Sequence, residues 1–167
     1  MNNVRGRLAR FRVPLGFAFA VIVFWCAHPT RTSLTWGAMI AAAGEAIRFW
    51  AAGHVEKGRE VTSSGPYRWT RHPLYAGSAV IGVGLAVVCN DWIAAALVGL
   101  YLAATLGAAI SIEEAWLRAT FGGEYEAYCA GHTIEREFSA ARALRNREHR
   151  AIGGLVLGLL LVALKMT

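Results

Sequence analysis

The residues able to do chemistry fall in two polar patches of an otherwise apolar chain. The first is Gly65-Pro66-Tyr67-Arg68-Trp69-Thr70-Arg71-His72-Pro73-Leu74-Tyr75-Ala76-Gly77, and the second opens with Glu113-Glu114. Gly65-Pro66 predicts a turn, since Gly supplies unusual backbone angles and Pro fixes its own. Pro73 suits the first position of a helix, where its missing N–H removes no bond, with His72 at the cap. The N–H groups of Leu74, Tyr75 and Ala76 are then expected to face the loop, and such a helix start attracts a carboxylate or phosphate. Taken singly, Tyr67, Trp69 and Arg71 suit a plain membrane-interface loop, with rings at headgroup depth and Arg on the cytoplasmic side. Glu113 and Glu114 point about 100° apart on a helix, which suits two separate tasks rather than an acid–base dyad. Either Glu alone also suits the solvated end of a helix. Brought together, the two patches could hold a zwitterion: its carboxylate on the helix start, its ammonium on a Glu. Tyr67 and Tyr75 would offer ring faces to a sulfonium or quaternary cation.

The elements that must position these groups read as membrane helices. At 167 residues the chain is one domain by length. Its 56% hydrophobic content and 18 glycines are too apolar for an ordinary soluble domain. The apolar residues come in long blocks rather than amphipathic stripes, which argues for spans. The expected architecture is an all-α integral membrane bundle of about five transmembrane helices. The blocks fall at 13–28, 34–53, 74–89, 92–112 and 151–165, with polar segments 54–77 and 113–138 beside the site. The first block follows a basic start as a signal peptide would, but no small-residue cleavage site ends it and further blocks follow. Asn90-Asp91 is too short for anything but a helical hairpin, so His72 should lie at the depth of Glu113. Gly77, Gly82 and Gly84 on one helix, and Gly99, Ala103, Gly107 and Ala108 on the next, are expected to let helices approach closely. Glu45 and Arg48 share a helix face and can pair, and charges within a span face the bundle or a cavity.

The net charge of +6 points to an anionic membrane surface rather than nucleic acid, because the basic residues sit in the loops between apolar blocks. The run Arg142, Arg145, Arg147 and Arg150 is expected at anionic headgroups. The N-terminus, the 54–73 loop and the 113–150 segment hold nearly all the basic residues, which puts all three on the cytoplasmic side. Cys26, Cys89 and Cys129 are distant and odd in number, without CxxC, so neither a disulfide framework nor a structural metal is implied. Tyr125, Tyr128 and Cys129 share one helical face, suited to lie against the membrane domain.

The ordered pattern is more specific than its parts. Gly65-Pro66-Tyr67-x-x-x-Arg71-His72-Pro73-x-Tyr75-x-Gly77, followed by Glu113-Glu114-x-x-Leu117-x-x-x-Phe121-Gly122-x-Glu124-Tyr125-x-x-Tyr128, resembles the isoprenylcysteine carboxyl methyltransferase and phospholipid methyltransferase superfamily. The resemblance implies a multi-span enzyme that uses S-adenosylmethionine, with a cytoplasmic C-terminal segment covering the cofactor and a lipophilic acceptor entering from the bilayer. Carried over by position, it implies cofactor contacts from Arg59, Glu60, Val61, Thr62, Tyr67, His72, Pro73, Leu74, Tyr75 and Glu114, with Glu113 on the substrate side. The isoprenylcysteine branch has an Arg one turn before the acidic pair, where this chain has Ala109. The proline that follows the final Tyr in the family is absent from Gly131 to Arg136. Arg48, His54 or Lys57 could replace the missing cation, Arg48 as a substrate contact. A carboxylate acceptor needs no base, and an amine needs one, for which Glu113 or His72 could serve. Two rival readings are a NADPH-dependent membrane reductase of a sterol-like or enone lipid, and a non-catalytic lipid-binding protein on the same fold.

Overall fold

The computed structural model describes residues 19–166, and every regular element among them is helical. After a helical stretch at 19–26 come α1 (Arg31–Ala52), a 3-10 turn (Gly65–Arg68), α2 (Pro73–Cys89), α3 (Trp92–Phe121), α4 (Gly123–Cys129), α5 (Ala140–Arg145) and α6 (Glu148–Leu164). The early part of the expected 13–28 block lies outside the described residues.

Local chemistry sets the helix ends. Thr30 and Ser33 form a capping box at the start of α1: Ser33 N donates to Thr30 Oγ1 at 3.1 Å, and Thr30 N to Ser33 Oγ at 2.9 Å. The α2–α3 hairpin turns on Asn90, which adopts the left-handed conformation (φ 48°) that Asn tolerates. Asp91 then caps α3, its Oδ1 accepting from Ala94 N at 2.8 Å. The apolar block was expected to end at Ile112, but α3 continues to Phe121. Glu113 to Arg118 are polar without being helix breakers, and the stop waits for Gly122, whose φ of 43° favours glycine. A helix of 30 residues is about 45 Å long, against roughly 30 Å of bilayer hydrocarbon. Its last turns must therefore stand clear of the apolar stretch. Among the described residues α3 is the one helix long and apolar enough to cross a membrane; α2 is a shorter apolar helix.

Helices α1 and α2 pack antiparallel along a glycine seam. A Cβ on Gly44 would lie 2.7 Å from the Gly77 carbonyl oxygen, and one on Gly77 the same distance from Gly44 O. Seven residues away along each helix, Gly37 and Gly84 repeat the arrangement at 2.5 and 2.6 Å. Backbone thus rests on backbone at two levels, the close approach that small residues allow between membrane helices. On α3 the expectation fails. Gly82 makes room for Leu102 of α3, but a Cβ on Gly99 or Gly107 would meet nothing within 4 Å.

Helix α6 runs the length of this bundle in the direction of α2. Its first residue, Glu148, meets Arg48 near the end of α1. Just past its other end, Lys165 Nζ donates to the carbonyls of Phe24, Trp25 and Ala27 at 2.8, 2.8 and 2.6 Å, a cation at the carbonyl end of a helix. His28 N donates to Cys89 O at 2.8 Å at that same end.

Candidate active site

The polar end of the bundle holds a hollow of about 220 Å³, walled by the Tyr67 turn, the start of α2, Arg48 of α1 and the polar extension of α3. Across its mouth His72 Nε2 lies 3.0 Å from Glu114 Oε1, so the two sequence-distant patches do meet. That hydrogen bond holds Glu114 below the ordinary carboxylate range, outweighing the opposing effect of burial. An ionised carboxylate only accepts, which makes Nε2 the donor and leaves Nδ1 of a neutral ring able to take a proton. Glu113 and Glu114 divide as their angular separation suggests. Glu114 binds His72, while Glu113 lines the hollow with no hydrogen bond or ion pair among the described residues.

Arg71 and Lys57 line the same hollow, both exposed and in no ion pair among the described residues. Tyr67 is 8% exposed, which sets aside the interfacial reading for it, whereas Trp69 remains exposed against Trp50 at 5.4 Å. Burial, helped by the charge of Glu113, pushes the Tyr67 phenol well above its ordinary range. Its carbonyl accepts from Tyr128 Oη at 2.7 Å, and burial pushes the Tyr128 hydroxyl up to about 12. Both phenols therefore stay protonated. The helix start itself offers less than expected. Tyr75 N and Ala76 N both donate to His72 O, at 3.1 and 3.0 Å, because the cap carbonyl closes the first turn. Pro73 has no N–H, so Leu74 supplies the remaining donor.

Arg48 lines the hollow, but both of its terminal nitrogens are occupied. Nη2 reaches both oxygens of Glu148 at 3.1 and 3.0 Å, and Nη1 reaches Ser78 Oγ at 2.5 Å and Leu74 O at 3.4 Å. The expected pair with Glu45 forms at 3.6 Å. Sequence reasoning missed Glu148, and gave Arg71 no part in the site. The signal for Glu148 was an acid inside a basic run, directly before an apolar block.

Residues 59–62 are not brought to the hollow. Val61 N donates to Glu124 Oε1 at 3.1 Å, Glu60 pairs with Arg136, Thr62 is buried and Arg59 exposed. A strap of residues 133–146 lies over this loop. Ile134 N donates to Ser63 Oγ at 2.8 Å, and Asn146 Nδ2 to the carbonyls of Ala52 and Val55 at 2.8 and 2.9 Å. Arg142 and Arg145 converge on Glu56 at 2.9 and 3.4 Å, while Arg145, Arg147 and Arg150 are exposed. Glu124→Ala should leave the buried Val61 N–H without a partner and speed proteolytic cleavage within 57–63 about tenfold, the equivalent of roughly 1.4 kcal/mol of local opening. Unchanged limited proteolysis would show that Glu124 does not hold the loop.

His54 lies beneath the strap, 5% exposed, with Nδ1 3.1 Å from Ser64 Oγ. Burial, then the charges of Arg142 and Arg136, push its pKa below 6.5. The unfolded chain therefore takes up this proton more readily than the folded one, and the contribution to stability, full above pH 6.5, is lost as pH falls below it. Tm is expected to drop between about pH 7 and pH 5, and His54→Asn should flatten that slope. Parallel slopes for both proteins would remove His54 as the cause.

A second hollow, about 620 Å³, opens at the far end beside Thr30, Trp36, Asn90, Asp91 and Trp92. It is larger but shallow. Its one ionisable lining residue, Asp91, already caps α3. Among the described residues no three His, Cys, Asp or Glu side chains gather as a metal site.

These features define a class: an all-helical protein with a glycine-packed hairpin and a charged hollow where its polar patches meet. The chain belongs to the phospholipid methyltransferase family, whose profile matches residues 12–124. It is also similar to a protein-S-isoprenylcysteine O-methyltransferase of Schizosaccharomyces pombe, 29% identical over 86 residues, which is 52% of this chain and 36% of that protein. The chain thus spans about a third of the length of that curated relative. No solved structure matches. The superfamily that the two motifs resemble is the one the chain falls in.

Proposed function

We propose that the chain is an S-adenosylmethionine-dependent methyltransferase of a lipophilic acceptor, acting at the cytoplasmic face of a membrane that it crosses about five times. The observation that carries this reading is a hollow lined by an unpaired carboxylate, Glu113, and two unpaired cations, Arg71 and Lys57, with the His72–Glu114 pair at its mouth. That donor set fits the charged end of the cofactor, whose amino acid is a zwitterion next to a sulfonium. The volume of about 220 Å³ is below the roughly 300–1,000 Å³ that encloses a whole drug-sized ligand, so the hollow suits that charged end alone.

S-adenosylmethionine, when bound, would supply an electrophilic methyl group that a nucleophile takes from the sulfonium directly, the S–CH3 electron pair leaving with S-adenosylhomocysteine. Arg71 and Lys57 hold a carboxylate, and Glu113 faces the positive groups. Tyr67 and Tyr75 present rings to a cation and exclude water, so most of the catalysis comes from alignment and desolvation. Glu114 orients His72, whose Nδ1 takes the proton of an amine acceptor; a carboxylate acceptor leaves that step out. Pro73 and Leu74 shape the wall, and the loop of Arg59 to Thr62 is held by Glu124 and Arg136.

Membranes carrying the protein, incubated with a methyl-labelled donor and then extracted, should yield label in the lipid fraction. S-adenosylhomocysteine should raise Tm and NADPH should not. No label above that of empty membranes would overturn the reading.

A further inference from the structure

We propose that Arg48 is a positioning residue for the first turn of α2, aimed by Glu148 of α6, and that its work is done through Ser78. The inference rests on the methyl-transfer reading above. Glu148 is 3% exposed, and both of its oxygens accept from Arg48 Nη2 at 3.1 and 3.0 Å. Glu45 stands on the other side of the guanidinium, its Oε2 3.6 Å from Nε, so Arg48 is held between two carboxylates. The face that remains is turned on α2. Nη1 donates to Ser78 Oγ at 2.5 Å, and Ser78 Oγ donates in turn to Leu74 O at 2.9 Å. Leu74 and Tyr75 line the hollow, as do Arg48 and Glu148 themselves, so the chain Glu148–Arg48–Ser78–Leu74 runs along the wall of the site from the last helix to the first turn of α2.

The backbone makes room for this device. A Cβ on Gly77 would lie 2.6 Å from Arg48 Cγ, so the stem of Arg48 passes where any other residue would put its side chain. Both terminal nitrogens of Arg48 are engaged within the protein, and Nε faces Glu45. The guanidinium is thus turned on its protein neighbours, which fits a support and not a clasp. Glu148 lies beyond residues 12–124, the part that matches the family, so the last helix adds to the site something the matched part lacks. A buried pair of this kind loses its balance when one partner is removed, but a structural brace and a positioning relay respond differently when the charges trade places.

The test is that exchange, made in the full chain and assayed for methyl transfer and for Tm. Arg48→Glu or Glu148→Arg alone sets like charges face to face and lowers Tm. Together, with Glu45→Gln added so that the acid moved to position 48 faces no second carboxylate, they restore an ion pair, and Tm should return to within about 3 °C, while methyl transfer stays at least about tenfold low because Ser78 has lost its donor. Ser78→Ala should hold Tm within about 3 °C and lower kcat about tenfold, with KM for the acceptor unchanged within about twofold. Activity that returns together with Tm in the exchange would reduce the pair to a brace and overturn the inference. So would a Ser78→Ala protein with wild-type kcat, which decides alone if the exchanged protein does not fold. A wild-type protein that fails to bind S-adenosylhomocysteine would remove the methyl-transfer reading and this inference with it. Binding with restored activity removes this inference only.

Discussion

Glu113→Gln is expected to lower methyl transfer by about 100-fold or more, equivalent to roughly 2.7 kcal/mol of transition-state stabilisation, and to leave Tm within about 2 °C. Glu113 is exposed, lines the hollow and makes no hydrogen bond or ion pair among the described residues. A group with no partner contributes little to folding, so its carboxylate stands ready for a ligand. The amide keeps the shape and removes the charge that would face a cation, and charge-assisted contacts are the strong ones. Activity within about threefold of wild type would take Glu113 out of the site. Glu114 makes the contrast. Its oxygen serves His72 at 3.0 Å, and because its folded pKa is lowered that pair persists through the ordinary carboxylate range and gives way only as pH falls further.

Gly77→Leu should cost about 3 kcal/mol, lower Tm by roughly 10 °C and abolish donor binding. The new Cβ would meet Gly44 O at 2.7 Å and Arg48 Cγ at 2.6 Å. One of those neighbours is backbone of the facing helix, which cannot turn aside as a side chain can, so α1 and α2 must separate. Separation also opens the Gly37–Gly84 contact and shifts the first turn of α2, where His72, Leu74 and Tyr75 stand. The matched control is Gly107→Leu on α3, where a Cβ meets nothing within 4 Å and Tm should stay within about 2 °C. Equal losses in the two proteins would show that the seam is not what holds the hairpin.

Much of this arrangement can be read from the residues alone, for identifiable reasons. The start of α2 is written in His72-Pro73, because a Pro at the first helical position has one local consequence. The meeting of His72 with Glu114 follows from a hairpin too tight to offset its two helices. Local signals fail where partners are far apart in the chain. Arg48 and Glu148 are separated by 100 positions, and no periodicity in either segment names the other. The strap over 52–63 depends on side chains of Asn146, Arg142 and Ser63 finding particular groups, a choice that composition does not record. Glycine spacing shows that α2 can be approached closely, but not from which side. Gly77 and Gly84 turned out to serve α1, and Gly99 and Gly107 of α3 face open space.

The most direct measurement is calorimetric titration of S-adenosylhomocysteine into the 167-residue chain in detergent, beside Arg71→Ala/Glu113→Gln. The expected result is saturable one-to-one binding by wild type that weakens at least about 30-fold in the double variant, roughly 2 kcal/mol, with Tm of the unliganded protein unchanged. No heat of binding from folded wild-type protein, or equal affinity in the two, would contradict a donor site built where the histidine turn meets the paired glutamates.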